Sequence, residues 1–188
     1  WDTRDDPLDA RDGLYFSVEA TPFVGVDQSV SGARIYTDAR GYLGLDPNDR
    51  VIFAARAQLG SVNGAGLTEV PPGMLFFSGG AGTVRGQPYQ SLAVDLDGGN
   101  RLGGRSFVAL SGEIRADLKG KFGAVAFADT GFVGQDSWGT RNGDWHSGAG
   151  LGLRYDTGIG PIRVDIATPL DNDAGQDFEL YIGIGQAF

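Results

Sequence analysis

GAGLGLRYDTGIGPIRVDIATPL, residues 148–170, reads as two strands joined by a turn. Ala149, Leu151, Leu153 and Tyr155 fall on one face, opposite glycines and Arg154. After DTGIG (156–160), Ile162, Val164 and Ile166 oppose Arg163 and Asp165. A period of two marks a strand with two unlike faces, whereas a helix repeats every 3.6 residues. Asp and Gly between the two runs supply turn chemistry.

The same alternation recurs along the chain. Leu14, Phe16, Val18 and Ala20 oppose Tyr15, Ser17, Glu19 and Thr21. Ala33, Ile35, Thr37, Ala39 and Leu43 oppose Arg34, Tyr36, Asp38 and Arg40. Val51, Phe53, Ala55, Ala57 and Leu59 oppose Arg56 and Gln58, and Val108, Leu110 and Ile114 oppose Ser111, Glu113, Arg115 and Asp117. Val125, Phe127 and Asp129 share a face, and Phe178, Leu180, Ile182 and Ile184 oppose Glu179, Tyr181, Gly183 and Gly185. Short turns are expected at Asp27–Ser31, Asp46–Arg50, Lys119–Lys121 and 171–176, with Asp5, Asp6, Asp9 and Asp12 around Pro7 reading as another. Longer connections are expected at about 60–103 and about 133–146.

The result is an all-β, antiparallel chain of about eight strands, each roughly nine to twelve residues long, near the length that crosses a bilayer when tilted. A soluble sandwich also alternates, with its apolar face inward. Small aliphatic faces opposite faces rich in Arg, Asp and Glu favour a membrane barrel with a polar lumen. The chain of 188 residues forms one domain, 1–188. A net charge of −9 argues against nucleic acid as a partner. The lack of cysteine excludes thiolate chemistry. The start at Trp1 reads as a mature or trimmed chain.

FFSGGAGTVRGQPY (76–89) lacks the Gly-Lys-Ser/Thr of a phosphate-binding loop, and no helical pattern follows it. Leu75, Phe76 and Phe77 are too apolar for a solvated tip. Glu113, Asp129 and Asp165 share polar faces with Arg115, Arg154 and Arg163; charge pairing inside a lumen is favoured over acid–base catalysis. The single histidine, His146, is expected in a loop beside Trp145, so no serine triad forms. DNDAGQD (171–177) lacks the spacing and terminal Glu of a calcium loop. No catalytic set, metal site or cofactor is expected.

Several motifs, in order, resemble the outer-membrane insertase superfamily typified by BamA and TamA, which also contains two-partner secretion transporters. TVRG (83–86) after FFSGG resembles its signature loop, and WDTRDDPLDARDG (1–13) its hairpin turn entering the second half of the barrel. LSGEIRADL (110–118) and FADTG (127–131) are similar to the strands that follow the loop. Residues 148–170 resemble the penultimate hairpin, and LYIGIGQAF (180–188) the last strand with its terminal aromatic signal. The first turn and GPIRVDIATPL resemble TamA more than BamA.

The resemblance implies the C-terminal half of a sixteen-stranded barrel, preceded in the family by eight further strands and POTRA domains. The half barrel then closes with that missing half or with an identical chain. A loop of Thr83, Val84, Arg85, Gly86, Gln87 and Tyr89 folds into the lumen, with Arg85 on Asp129 and with Glu113 and Phe127 nearby. Gln87 departs from the family, which has an aromatic ring there; Tyr89 is the aromatic available to substitute. The last strand, about 177–188, carries Tyr181, Gly183, Gly185 and Phe188 and forms one side of a weak seam. The implied function is assembly of outer-membrane proteins by strand exchange, without enzyme activity. Its partners are outer-membrane lipids and client β-barrel proteins, in the outer membrane of a Gram-negative bacterium with a periplasmic C-terminus. Alternatives are a pore secreting a polypeptide, or a half barrel that closes by homodimerisation.

Overall fold

Alternating sequences build strands whose apolar side points away from the interior of the sheet. The computed structural model describes residues 1–25, 30–96, 99–171 and 177–188. Its strands are β1 (Gly13–Phe23), β2 (Gly32–Gly44), β3 (Val51–Asn63), β4 (Val94–Asp95), β5 (Arg101–Leu102), β6 (Ser106–Asp117), β7 (Phe122–Gly134), β8 (Gly143–Tyr155), β9 (Ile162–Pro169) and β10 (Glu179–Ile184). Eight form one antiparallel sheet in the order β1-β2-β3-β6-β7-β8-β9-β10, while β4 and β5 form a small ribbon. The large sheet is open, with β1 and β10 at its edges. The turns and longer connections alternate, so the sheet has a turn end and a loop end.

Over most of its extent the outer face is apolar and uncovered among the described residues. Leu151 is 64 % exposed and Ile182 71 %, and Leu14, Phe16, Val18, Phe53, Leu110, Ile114, Val164 and Ile166 are also exposed. A sandwich would bury this face against a second sheet. Its exposure, row after row, fits lipid as the neighbouring solvent.

The inner face is covered by residues 64–96 and 99–105 of the connection from β3 to β6. The expected polar lumen occupies only part of the interior. Near the loop end the interior is a dry core in which Val62, Phe107, Ala109 and Val133 of the sheet pack with Val70, Leu75, Phe76, Val84, Leu92 and Val94 of the connection. Phe76 stacks on Phe107 with ring centroids 5.4 Å apart. A side chain at Gly60 would meet the Phe76 ring at 2.5 Å, so β3 leaves room for it. Leu75 and Phe76 are buried, as their hydrophobicity requires.

Three further expectations change. The connection expected at about 133–146 is only residues 135–142, and His146 lies within β8, paired with Gly131. Aspartates and glycines around DWHSG hide the strand signal there. The last strand is six residues long, not twelve. Gly185 takes φ +83°, a left-handed conformation that turns residues 185–188 off the sheet. Phe188 then packs inside against Tyr42, Ala54 and Ala10. The turn expected at Asp27–Ser31 and the 171–176 tip lie largely outside the described residues.

At the turn end, residues 4–12 curl over the opening with side chains capping their own backbone. Asp6 accepts from the Leu8 N–H at 2.8 Å and Asp5 from the Arg11 N–H at 3.0 Å. Trp1–Thr3 pair with the base of β1: the Thr3 N–H donates to Leu14 O and the Phe16 N–H to Trp1 O, each at 2.9 Å.

Replacing Phe76 with Ala is expected to cost about 3–5 kcal/mol, the range for deleting a buried ring. Limited proteolysis of the folded protein in detergent should then cut within 64–105 faster than in the wild type.

Candidate functional site

The site is built on two neighbouring strands. On β6, Glu113 and Arg115 point inward; on β7, Phe127 and Asp129 do, because residues two apart share a face. Antiparallel register places Glu113 beside Phe127 and Ser111 beside Asp129. The tip of the long connection reaches this patch through Arg85.

Arg85 is 2 % exposed. Its Nε and Nη2 donate to the two oxygens of Asp129 at 2.7 and 2.9 Å, a bidentate fork. Its backbone N–H donates to the same carboxylate at 3.0 Å. Nη1 donates to Glu113 at 2.6 Å. The guanidinium carbon lies 3.6 Å from the Phe127 ring centroid, a cation–π contact. Burial disfavours the charge on Arg85, but hydrogen bonds and attraction from Asp129 and Glu113 outweigh it and raise its pKa. Arg85 is therefore a fixed cation.

The network continues on both sides. Arg115 Nε donates to the other Glu113 oxygen at 2.8 Å, and its Nη2 donates to the Phe188 carbonyl at 3.1 Å. Asp165 lies 4.0 Å from Arg85 and pairs with Arg154. Arg163 is not drawn in: two of its guanidinium nitrogens are buried without a partner among the described residues. On β2 and β3, Asp38 accepts from Arg40 and Arg56, and Arg56 also donates to the Gly82 carbonyl at 3.2 Å, a second tether for the loop.

Around Arg85, the loop is locked by its neighbours. Thr83 accepts from the Gly79 N–H at 2.9 Å, closing the turn, and Val84 is fully buried. Gly86 has φ +93°, and a Cβ there would meet the Thr168 carbonyl at 2.6 Å. Its N–H donates to the Tyr181 hydroxyl of β10 at 3.0 Å. Gln87 is buried and donates to Ser147 O at 3.2 Å, with Asp171 at 3.4 Å. A polar anchor thus occupies the position where the family resemblance implies an aromatic ring. Tyr89 does not substitute for that ring: it is 80 % exposed, because the chain has already turned outward. Of the last-strand residues, only Tyr181 touches the loop tip. Gly183 pairs opposite Arg163, and Gly185 and Phe188 belong to the inward tail.

Sequence reading missed the glycines that make room. A Cβ at Gly148 would lie 1.9 Å from the Arg85 carbonyl, and one at Gly131 2.6 Å from Val84. The run of glycines on the inner face of β8 was the available signal.

Residues 1–188 match the Omp85 superfamily domain over their whole length. The chain belongs to the Omp85 superfamily, which comprises outer-membrane insertases and transporters. Its fold is similar to that of BamA from Haemophilus ducreyi, solved as a form lacking POTRA domains 1–3. The TM-score is 0.76 at 20 % identity, covering 96 % of this chain and 39 % of that one. The chain thus spans about two-fifths of that Omp85-type relative and has the strand content of half a barrel.

Two predictions test this geometry. Gly148→Ala should destabilise by about 1–3 kcal/mol through overpacking against Arg85, whereas Gly112→Ala, with open space around it, should stay within about 0.5 kcal/mol. Heat-dependent loss of compact gel mobility compares them. In a double-mutant cycle, Arg85→Ala and Asp129→Ala should be strongly non-additive, because either change alone leaves a buried charge unpaired. Simple additivity would mean that the two groups do not interact.

Proposed function

We propose that this chain is the C-terminal half of an outer-membrane protein assembly factor that works by strand exchange at a barrel seam. The observation that carries this reading is the hydrogen bond from Gly86 to Tyr181. It ties the arginine-anchored loop to the edge strand, whose outer side pairs with no other strand among the described residues. An exposed strand edge is a template for an incoming strand. β10 has only six paired residues before the chain leaves the sheet at Gly185, and it includes Gly183, which has no side chain to pack. Little pairing has to be broken for such an edge to exchange partners.

The other edge supports the same reading. On its outer side, among the described residues, β1 is paired with Trp1–Thr3 only near its base. An unpaired edge in lipid is costly, so β1 and β10 both call for a further strand, from the other half of the barrel or from a second copy of the chain. Client proteins would be β-barrel chains presenting an unpaired strand. The turn end, with the C-terminal tail, would face the periplasm. The likeness to TamA in residues 1–13 and 160–170 points to that branch of the superfamily.

A secreting pore requires the loop to leave the lumen, whereas the anchors of Arg85 hold it there. In planar bilayers the protein should be mostly closed, and Arg85→Ala should raise its conductance. A steady open pore in the unaltered protein would instead favour secretion. In liposomes it should speed folding of an added β-barrel client, and Tyr181→Phe should reduce that effect with the fold intact. Equal acceleration by the variant would overturn the role given to the Gly86–Tyr181 contact.

A further inference from the structure

The outer face of the sheet carries a feature that strand exchange does not use. Residues 135–142, between β7 and β8, bend outward and lie back against the lipid-facing side of the sheet. Small residues make this possible. Antiparallel register lines up Ile35, Ser61, Ser106, Gly134 and Gly143 in one cross-strand row near the loop end. The residues in the middle and far part of that row have almost no side chain, so the backbone of the hook can approach. Phe132, in the next row, is fully buried although it sits on the outer face, and a Cβ at Gly134 would meet its ring at 2.6 Å.

The hook is fastened by hydrogen bonds. Its base closes with the Gln135 N–H donating to Asn142 O at 2.7 Å. The Ser61 hydroxyl donates to Ser137 O at 2.6 Å, and the Trp138 indole N–H to Asn63 at 2.8 Å. Arg105 Nε donates to Gln135 O at 2.8 Å. The hook therefore stands as a fixed wall on the membrane side.

Between this wall and the sheet is a cavity of about 330 Å³. Its floor is Ile35, Thr37, Leu59 and Val108, and Trp138 closes one side. The accessible walls are almost entirely carbon. The Ser106 hydroxyl, on the same floor, is buried and has no partner among the described residues. Water has too few polar partners to stay in such a space, while an empty apolar space forfeits dispersion contacts. The volume suits roughly ten methylene-sized groups, taking about 30 Å³ for each as for a water. That is one hydrocarbon chain.

We infer that this notch is a binding site for one acyl chain of a bilayer lipid. The notch opens onto the belt formed by Leu59, Leu110 and Val108, where acyl chains are the surrounding medium. Trp138, 67 % exposed with its N–H already tied to the protein, has the position of an interfacial tryptophan. A chain entering the notch lies on Leu59 and is held by dispersion contacts alone. The site lies on β2, β3 and β6 and includes no residue of the edge strands β1 and β10. It depends on the sheet residing in a membrane and not on strand exchange, so either reading can fail without the other.

The test uses the protein with Trp138 as its only tryptophan (Trp1→Phe, Trp145→Phe), folded in detergent. Phosphatidylcholine with brominated acyl chains is then added, and quenching of Trp138 fluorescence is read. Quenching should rise and saturate at low lipid content. It should lose its saturable part in Ser106→Leu and, separately, in Thr37→Phe, each of which fills the notch. Compact gel mobility before heating shows that each variant is folded, and two fillings from different strands guard against misfolding of one. Quenching that grows in simple proportion to brominated lipid, equally in all variants, would overturn the site and leave only bulk lipid contact. Emission from Trp138 that changes with protein concentration and not with lipid would also overturn it, in favour of a second protein on this face.

Discussion

A guanidinium taken out of water fixes most of this molecule. Arg85 is charged and almost wholly buried, so every one of its surroundings must be right at once. Asp129 must face it squarely, Glu113 must stand one strand away, and Phe127 must lie flat beneath. The backbone of β8 must come within reach without a side chain at Gly148. A slip of β7 by one residue against β6 would turn Asp129 to the outer face and leave Glu113 inside without it. Buried ion pairs add little net stability compared with apolar packing, but they punish wrong arrangements severely. The arrangement therefore selects one seat for the loop more than it strengthens the fold.

The apolar packing above the arginine supplies the adhesion. Phe76, Phe107, Tyr36 and their neighbours form a core inside the curve of the sheet, where a simple barrel would hold water. The hydrophobic residues thus divide into two populations. One lies on the outer face, exposed in the isolated chain and matched to lipid; the other lies under the loop. A soluble protein of this length would gather them into one core.

Much of this was legible in the strands. Alternation alone placed Glu113, Asp129 and Asp165 on inward faces, and the motif order supplied Arg85 as their partner. Leu75 and Phe76 announced a buried segment because nothing polar relieved them. Other features depend on what lies opposite, which a single strand does not encode. The Gly86–Tyr181 contact joins residues 95 apart in sequence. The need for Gly148 arises only when a loop from elsewhere arrives. Gln87 looked like a lost aromatic because its partners, Ser147 and Asp171, lie on a distant hairpin. The departure of the tail at Gly185 was hidden because residues 185–188 continue the composition of the strand. The outward hook at 135–142 follows from small residues on four different strands, a pattern visible only after register is known.

The two ends of the chain bear on how the sheet can move. Gln186 donates its N–H to Leu8 O at 2.9 Å and its side-chain amide to Asp9 at 2.9 Å, while its own side-chain oxygen accepts from Arg154. Leu8 and Asp9 precede β1, and Gln186 follows β10. The feet of the two edge strands are thus stapled together inside the turn end, while their upper parts have no such link among the described residues. Any parting of the edges meets least resistance at the loop end and most at the staple, so the sheet would open as a wedge with its hinge at the turn end.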